Sequence, residues 1–517
     1  MKPPPLSSQQ QKLNRVFQAA AEAINRLDYQ ECIDTLERAS RLHPGNPTIL
    51  LELGRVHGMR YRYAAAERCF ENAVRVASKR TDSLAMAGMH CRGFGRYEMA
   101  RSYFERAIKQ PGASPDSCVK LAELYERFRM LEEAADLIDQ ALSMDPRCAL
   151  ALLVQARLER LRGSAETAEK IVRPLLAMTD ADSWSTRIRG WYELGAILDK
   201  QGRFDEAMAA FLEAKAMIQP NAHRFLPMQE LVHRRLREVV TAFKPDLVPK
   251  WIADGATLEP RHRVALLCGH PRSGTTLLEQ VLDSHPEIIS AEETPIFVNE
   301  VSLPLRRGFP MEARMLEVLE AATPGKLTQV RTDYARATEL YLQTPPSGRL
   351  LIDKNPSLTT LALVAIRAFP EMKILTALRD PRDVVMSCFM QPLPLNQVSA
   401  MFLSLEGTVR EYESVMGFWR AVAPALGDSC IELRYEDMVA DLETVSRRAL
   451  EFLGAAWDPR VLRYDEHARQ KLVRSPTYAE VAKPITRGAI GRWRNYQKHL
   501  EPQMEKLAPF ARAFGYE

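Results

Sequence analysis

The sequence predicts two architectures in one chain, an α + α/β protein. An all-α N-terminal solenoid comes first, and a three-layer α/β domain with a P-loop-like parallel sheet follows. Two observations predict this. Small and bulky apolar residues recur with a 34-residue period up to about residue 220. Beyond residue 262, short apolar runs alternate with helical patterns, and the first run enters a glycine-bounded loop.

The period is clearest in frames starting at 13, 47, 81, 115 and 149. Position 8 holds Ala20, Gly54, Gly88, Ala122 and Ala156, and position 20 holds Cys32, Ala66, Ala100, Ala134 and Ala168. Position 24 is bulkier, with Leu36, Phe70, Phe104, Ile138 and Val172, and position 27 holds Ala39, Ala73, Ala107, Ala141 and Leu175. Small residues at 8 and 20 let two helices approach, and the residue at 24 fills the space beside them. Pro44 and Pro146, at position 32, stop a helix. A sixth frame, at 188, carries Trp191, Leu194, Gly195, Ala207, Phe211 and Ala214, and the insertion over 178–189 before it reads as a longer turn. The pattern resembles the tetratricopeptide repeat (TPR). The resemblance implies a curved stack whose concave face holds a peptide or protein; a rigid spacer or a dimerisation arm is the alternative, so a homodimer stays open.

The expected domains are a disordered N-terminus over 1–12, a TPR solenoid of about six repeats over 13–220, a helical connector over 221–262 and an α/β domain over 263–517. The connector contains a basic amphipathic helix near 228–243, whose His233-Arg234-Arg235-Leu236-Arg237 stretch reads as a solvated face. Bulk composition is that of a soluble globular protein, 46% hydrophobic and 26% charged, with a net charge of +4 too small to suggest a nucleic-acid or membrane partner. No apolar leader or membrane-length run is seen, and eight scattered cysteines form no Cys-x-x-Cys pair. These features lead us to expect a cytoplasmic protein with reduced thiols.

Strands are expected near 263–268, 349–353, 373–378 and 430–434. The first, Val264-Ala265-Leu266-Leu267-Cys268, runs into Gly269-His270-Pro271-Arg272-Ser273-Gly274-Thr275-Thr276 and then a helical pattern. Amides at the start of such a helix converge on an anion. A nucleotide-hydrolysing loop would carry Lys after its second glycine; this chain has Thr275 there, and Arg272 two residues before Gly274. The block from Pro271 to Leu277 resembles the 5′-phosphosulfate loop of sulfotransferases, most closely the tyrosylprotein branch. The resemblance implies the cofactor PAPS (3′-phosphoadenosine 5′-phosphosulfate), no metal, and cofactor contacts from Arg272, Ser273, Gly274, Thr275 and Thr276.

Five further blocks follow in the family's order. Ala291-Glu292-Glu293-Thr294 places Glu293 on the family's catalytic base. A positioned carboxylate suits proton removal from an acceptor hydroxyl, worth roughly 10²–10⁴ in rate. His285, in Asp283-Ser284-His285-Pro286, is the rival base, because cytosolic sulfotransferases use a histidine. Pro295 stands where the tyrosylprotein enzymes have arginine, which puts tyrosine specificity in doubt. Ile352-Asp353-Lys354-Asn355-Pro356 supplies Lys354, which by resemblance stabilises the leaving phosphate. Arg379-Asp380-Pro381-Arg382-Asp383-Val384-Val385-Met386-Ser387 supplies Arg379 and Ser387, matching the pair that grips the 3′-phosphate. Arg434-Tyr435-Glu436-Asp437 implies a nucleotide contact from Tyr435. The tail implies Ser475 near the sulfate and Lys483 at the nucleotide. Arg487, on the lysine of the family's Arg-Lys-Gly segment, would be a second 3′-phosphate contact.

The expectation is therefore a PAPS-dependent sulfotransferase acting on a hydroxyl of a peptide tyrosine, a glycan or a small molecule. A P-loop kinase or NTPase, and a TPR scaffold with an inactive sulfotransferase domain, are the alternatives.

Overall fold

The computed structural model describes residues 8–178, 184–310, 312–346, 348–470 and 483–516. The chain divides into two compact units, one up to Leu158 and one from Glu159 onward.

The first unit is made of helix pairs: α1 (Ser8–Asn25) and α2 (Tyr29–Leu42), α3 (Pro47–Met59) and α4 (Tyr63–Val76), α5 (Arg80–Gly93) and α6 (Tyr97–Ile108), α7 (Pro115–Arg127) and α8 (Leu131–Met144), then most of α9 (Ala149–Leu161). Helix starts are written in the sequence. Asn46 and Ser114 cap α3 and α7 with side-chain acceptors, and Pro47 and Pro115 follow at the first position. The period has a steric cause. A Cβ added at Gly54 would lie 2.4 Å from Phe70 Cε1, and one at Gly88 would lie 2.8 Å from Phe104 Cε1. Where position 24 is the smaller Ile138, position 8 is Ala122, fully buried. Pair size is thus conserved while its partition between the two positions changes. Consecutive pairs are also tied by Arg106 to Glu71 at 2.6 Å and Arg92 to Glu123 at 2.8 Å.

The second unit begins with α10 (Ala165–Leu176), α11 (Trp184–Lys200) and α12 (Phe204–Ile218), then α13 (Leu226–Ala242) and α14 (Leu247–Asp254). Gly195 lies 2.4 Å, measured from an added Cβ, from Phe211 Cε1, so the size rule holds here too. The expected longer turn over 178–189 is corrected in part, because residues 184–189 belong to α11, which runs for 17 residues. The expected solvated face of the connector is corrected at His233. This residue is fully buried, and its Nε2 lies 2.6 Å from Glu411 Oε2 on the helix Leu405–Leu426.

Five strands follow: β1 (Val264–Gly269), β2 (Ile288–Glu292), β3 (Leu350–Lys354), β4 (Lys373–Leu378) and β5 (Cys430–Arg434). They form one sheet in the order β2-β3-β1-β4-β5, and every adjacent pair is parallel. β2 was absent from the sequence expectation. β1 is buried along its whole length, as a central strand covered on both faces must be. On one face, Ala265, Leu267 and Ile352 pack with Leu277, Leu278, Val281 and Leu282 of α15 (Thr275–Asp283) and with Leu450 and Leu453. On the other, the Tyr334 hydroxyl donates to Asp353 Oδ2 at 3.0 Å and Trp419 Nε1 donates to Glu432 at 2.7 Å. Helices Pro324–Leu342 and Leu405–Leu426 therefore cover that face, which makes three layers. Among the described residues, no helix is long and apolar enough to cross a membrane.

Candidate active site at the C-terminal ends of the strands

In a parallel sheet, ligands bind beyond the C-terminal strand ends, beside the strand where the order reverses. Here that strand is β1, flanked by β3 and β4. Read across the sheet from β2, the strand ends deliver Glu293, Lys354, the Gly269–Gly274 loop, Arg379 and Tyr435. Residues far apart in sequence thus stand in a row because strand order places them there.

The loop is built for close approach. Gly269 has φ +144°, and a Cβ there would lie 2.5 Å from Ala377 O. Gly274 has φ +96° and caps α15, and its Cβ would meet Tyr435 Cδ2 at 2.7 Å. Thr359 Oγ1 donates to Gly269 O at 2.6 Å and accepts from Gly269 N–H at 2.8 Å, fixing the loop's first residue. Thr275 and Thr276 open α15 and are buried. Ser273 is also buried, and its Oγ has no hydrogen-bond partner among the described residues. A buried hydroxyl left unpaired at a helix N-terminus suits an incoming anion.

Beside the loop, Arg272 takes a left-handed φ of +73°. Its Nε donates to Ser387 Oγ at 3.0 Å, and its carbonyl accepts from Arg379 Nη1 at 3.2 Å. The expected Arg379/Ser387 pair is therefore joined through Arg272 in this structure. The Arg379 guanidinium also donates to Ala489 O, lies 3.9 Å from Asp383 and stacks over Tyr435 at 5.0 Å. Its Nε is buried and has no partner among the described residues. Asp383 was not foreseen as part of the site. Its carboxylate accepts from Gly491 N–H at 2.7 Å and Trp493 N–H at 2.8 Å, and burial pushes its carboxyl above the usual range despite Arg379. Of the tail residues, Lys483 is exposed, with its carbonyl accepting from Tyr464 at 3.0 Å. Arg487 is exposed in a short turn, and Ser475 lies outside the described residues.

On the other side of β1 the charges reverse. Lys354 is fully buried, with Nζ 2.7 Å from Glu293 Oε1, 3.4 Å from Glu279 Oε2 and 3.6 Å from Glu292 Oε1. Burial opposes its charge, but the three carboxylates outweigh burial and raise the ammonium above its ordinary range. Glu279 and Glu292 are buried, whereas the Glu293 side chain is 37% exposed. Glu293 is thus the carboxylate of the three that faces solvent. It sits at φ +47°, and its N–H donates to Lys354 O at 2.7 Å. A non-glycine residue in that region is held by its surroundings, a common mark of a functional position. Glu279 was missed in the sequence; a glutamate inside the apolar stripe Leu277, Leu278, Val281, Leu282 was the available signal. His285 is spent on structure: its Nδ1 accepts from Glu287 N–H at 3.1 Å and its Nε2 donates to Ala456 O at 2.9 Å.

Residues 265–459 match the Sulfotransferase family model, and residues 61–117, 119–182 and 188–219 match tetratricopeptide repeat models. An uncharacterized protein of Aquifex aeolicus (strain VF5) is 25% identical over 403 residues, covering 75% of this chain and 49% of that protein. Protein-tyrosine sulfotransferase A of Caenorhabditis elegans is 26% identical over 262 residues, covering 48% of this chain and 66% of that protein. The chain spans about half the length of the first of these relatives and just under two thirds of the second. A solved sulfotransferase domain from the Synechococcus PCC 7002 olefin synthase aligns with a TM-score of 0.35 at 22% identity, over 49% of this chain and 96% of that one. The chain joins an N-terminal tetratricopeptide-repeat region to a sulfotransferase-family domain, distantly homologous to the protein-tyrosine sulfotransferases.

Proposed function

We propose that the protein is a PAPS-dependent sulfotransferase that modifies an acceptor hydroxyl. The observation that carries the reading is the Lys354–Glu293 contact of 2.7 Å beside the phosphate-type loop. It sets a proton acceptor and a fixed cation side by side at the sheet's reactive edge. The residues fit the cofactor: the unpaired Ser273 Oγ and the buried Arg379 Nε are donors an anion can take up. Bound PAPS would supply an activated sulfuryl group with a phosphate leaving group. Arg272, Ser273, Gly274, Thr275 and Thr276 would hold its 5′ side, Arg379 and Ser387 its 3′-phosphate, and Tyr435, Lys483 and Arg487 would add contacts to the nucleotide.

Glu293 accepts the acceptor's proton at its solvent-facing carboxylate. Lys354 stays cationic and answers the charge that grows on the leaving side, while Glu279 and Glu292 keep its ammonium in place. Ser475 is proposed to act near the sulfate. The acceptor, whether a peptide tyrosine, a glycan or a small molecule, would reach the edge near Glu293. TPR repeats have the capacity to bind proteins, so the solenoid's concave face is proposed to hold a peptide or protein partner. We also propose a cytoplasmic location and the domain limits given above, with the solenoid corrected to begin at Ser8, where α1 starts, and not at 13.

The test is calorimetric titration with PAP, the desulfonated nucleotide, in EDTA, beside Mg-ATP. Metal-free PAP binding, weakened about 10- to 100-fold in Arg379→Ala, is the expected result, the size following from a charge-assisted contact of about 1.5–3 kcal/mol. Mg-ATP binding without PAP binding would move the domain to the kinase class.

A further inference from the structure

The helix α11 lies outside the sheet, yet its Asp199 touches the C-terminal segment that borders the nucleotide residues. Asp199 Oδ1 accepts from the Tyr496 hydroxyl at 2.6 Å, and Oδ2 pairs with Arg492. Tyr496 is fully buried, and its ring meets Phe204, the first residue of α12, at 5.5 Å. Burial, then the hydrogen bond to Asp199 and its charge, drives the Tyr496 phenol far above its ordinary range, so it remains a donor. The Asp199 side chain is only 13% exposed, which sets this cluster apart from the open Lys498–Asp205 pair on the rim, where solvent weakens the attraction.

Three residues before Tyr496, the same segment is gripped from the other side. Asp383 accepts the Gly491 and Trp493 amides, and Arg379 donates to Ala489 O. Asp383 is buried, and without those amides its remaining neighbour of opposite charge is Arg379 at 3.9 Å. A buried carboxylate deprived of donors would pull that guanidinium toward itself, away from Arg272 and the loop. The position of Arg379 therefore depends on where residues 489–493 are held, and Asp199 holds their far end.

We propose that Asp199 is a positioning residue of the nucleotide site: from the last helical repeat it anchors segment 487–496, so that Arg379 keeps the geometry that reads a 3′-phosphate. The last repeat is then a working part of the transferase and not a detachable binding arm. This rests on the sulfotransferase reading above.

The experiment compares PAP with AMP, which lacks the 3′-phosphate, on the full chain by calorimetric competition. Asp199→Ala, which removes both the Tyr496 bond and the Arg492 pair, is expected to weaken PAP about tenfold and to leave AMP within about twofold. Amides of Gly491 and Trp493 exchange faster in the variant. Tyr496→Phe, which removes only the hydroxyl, moves PAP in the same direction by a smaller factor, and Asp199→Asn, which keeps an acceptor, recovers part of the loss. Parallel weakening of PAP and AMP would reduce Asp199 to general support of the fold and overturn the proposal, as would an unchanged PAP affinity in both Asp199→Ala and Tyr496→Phe. Failure of the unaltered protein to bind PAP is a different result, which removes the sulfotransferase reading itself.

Discussion

The two sides of β1 handle charge in opposite ways. Around Lys354, one ammonium meets three carboxylates, so the cation's charge is answered within the protein. Around Arg379, the hydrogen bonds of the guanidinium groups go to neutral carbonyls and a hydroxyl, at Arg272 O, Ala489 O and Ser387 Oγ, and among the described residues the nearest carboxylate to Arg379 is Asp383 at 3.9 Å. Arg379 is thereby oriented, and its Nε has no partner among the described residues, which leaves a donor for a phosphate. Lys354 is positioned whether or not an anion is present. On the proposed reading, the difference is a division of labour: one side is set for a charge that develops during reaction, the other for a charge already present on the ligand.

Glu293→Gln tests that division most severely. The amide keeps the size of the carboxylate and removes its basicity. Sulfuryl transfer, followed with labelled PAPS and an acceptor found by screening, should fall by about 10²–10⁴. PAP affinity should stay within about twofold, because Glu279 and Glu292 still hold Lys354. Arg379→Ala should show the converse pattern, weak PAP binding first. Equal losses in turnover and PAP affinity for Glu293→Gln would break the comparison.

The repeat region was legible because its information is redundant: each frame restates the same steric rule, so no single residue had to be read correctly. The strand ends were legible for a different reason. Phosphate loops and charged residues after apolar runs are local patterns, and the strands of the sheet delivered them to one edge. What escaped was non-local or locally ambiguous. β2 has two isoleucines and then Ser290-Ala291-Glu292, too little β-branched character to announce a strand. Glu279 sits in an apolar stripe, and only the fold shows that Lys354 awaits it there. His233 was hidden in a basic run, because a single buried position among arginines does not alter the run's composition. The Asp199–Tyr496 bond spans 297 residues, and no local pattern could carry it.

A second contrast lies inside the repeats, between glycines with and without a neighbour. Gly54 faces Phe70, whereas Gly45 has open space where a Cβ would go. Gly54→Ala should cost about 1–3 kcal/mol by overpacking, read from the unfolding midpoint in denaturant, with PAP affinity unchanged. Gly45→Ala should be close to neutral. Pairing Gly54→Ala with Phe70→Ile recreates the partition seen at Ala122 and Ile138 and should recover most of the loss. If the double variant is no better than the single, the fixed pair size is not the cause of the period.

A pH-dependent effect sharpens the contrast within β3, where adjacent residues face opposite layers. Lys354 meets carboxylates, whereas Asp353 meets Tyr334, whose ring packs on Phe297 and Phe369. Burial pushes the Asp353 carboxyl up to about 7, although the Tyr334 hydroxyl bond opposes the rise. Its unfolded counterpart titrates near 4. Between those values the folded state keeps a proton that the unfolded chain releases, so this residue's contribution is present below about pH 4 and lost as pH rises through 7. Asp353→Asn mimics the neutral acid and keeps an acceptor for Tyr334. Its unfolding midpoint should match that of the unaltered protein at the acid end and exceed it increasingly toward pH 8. A constant difference across that range would mean that Asp353 is ionised in the fold, and that the two faces of β3 do not differ in the way their neighbours require.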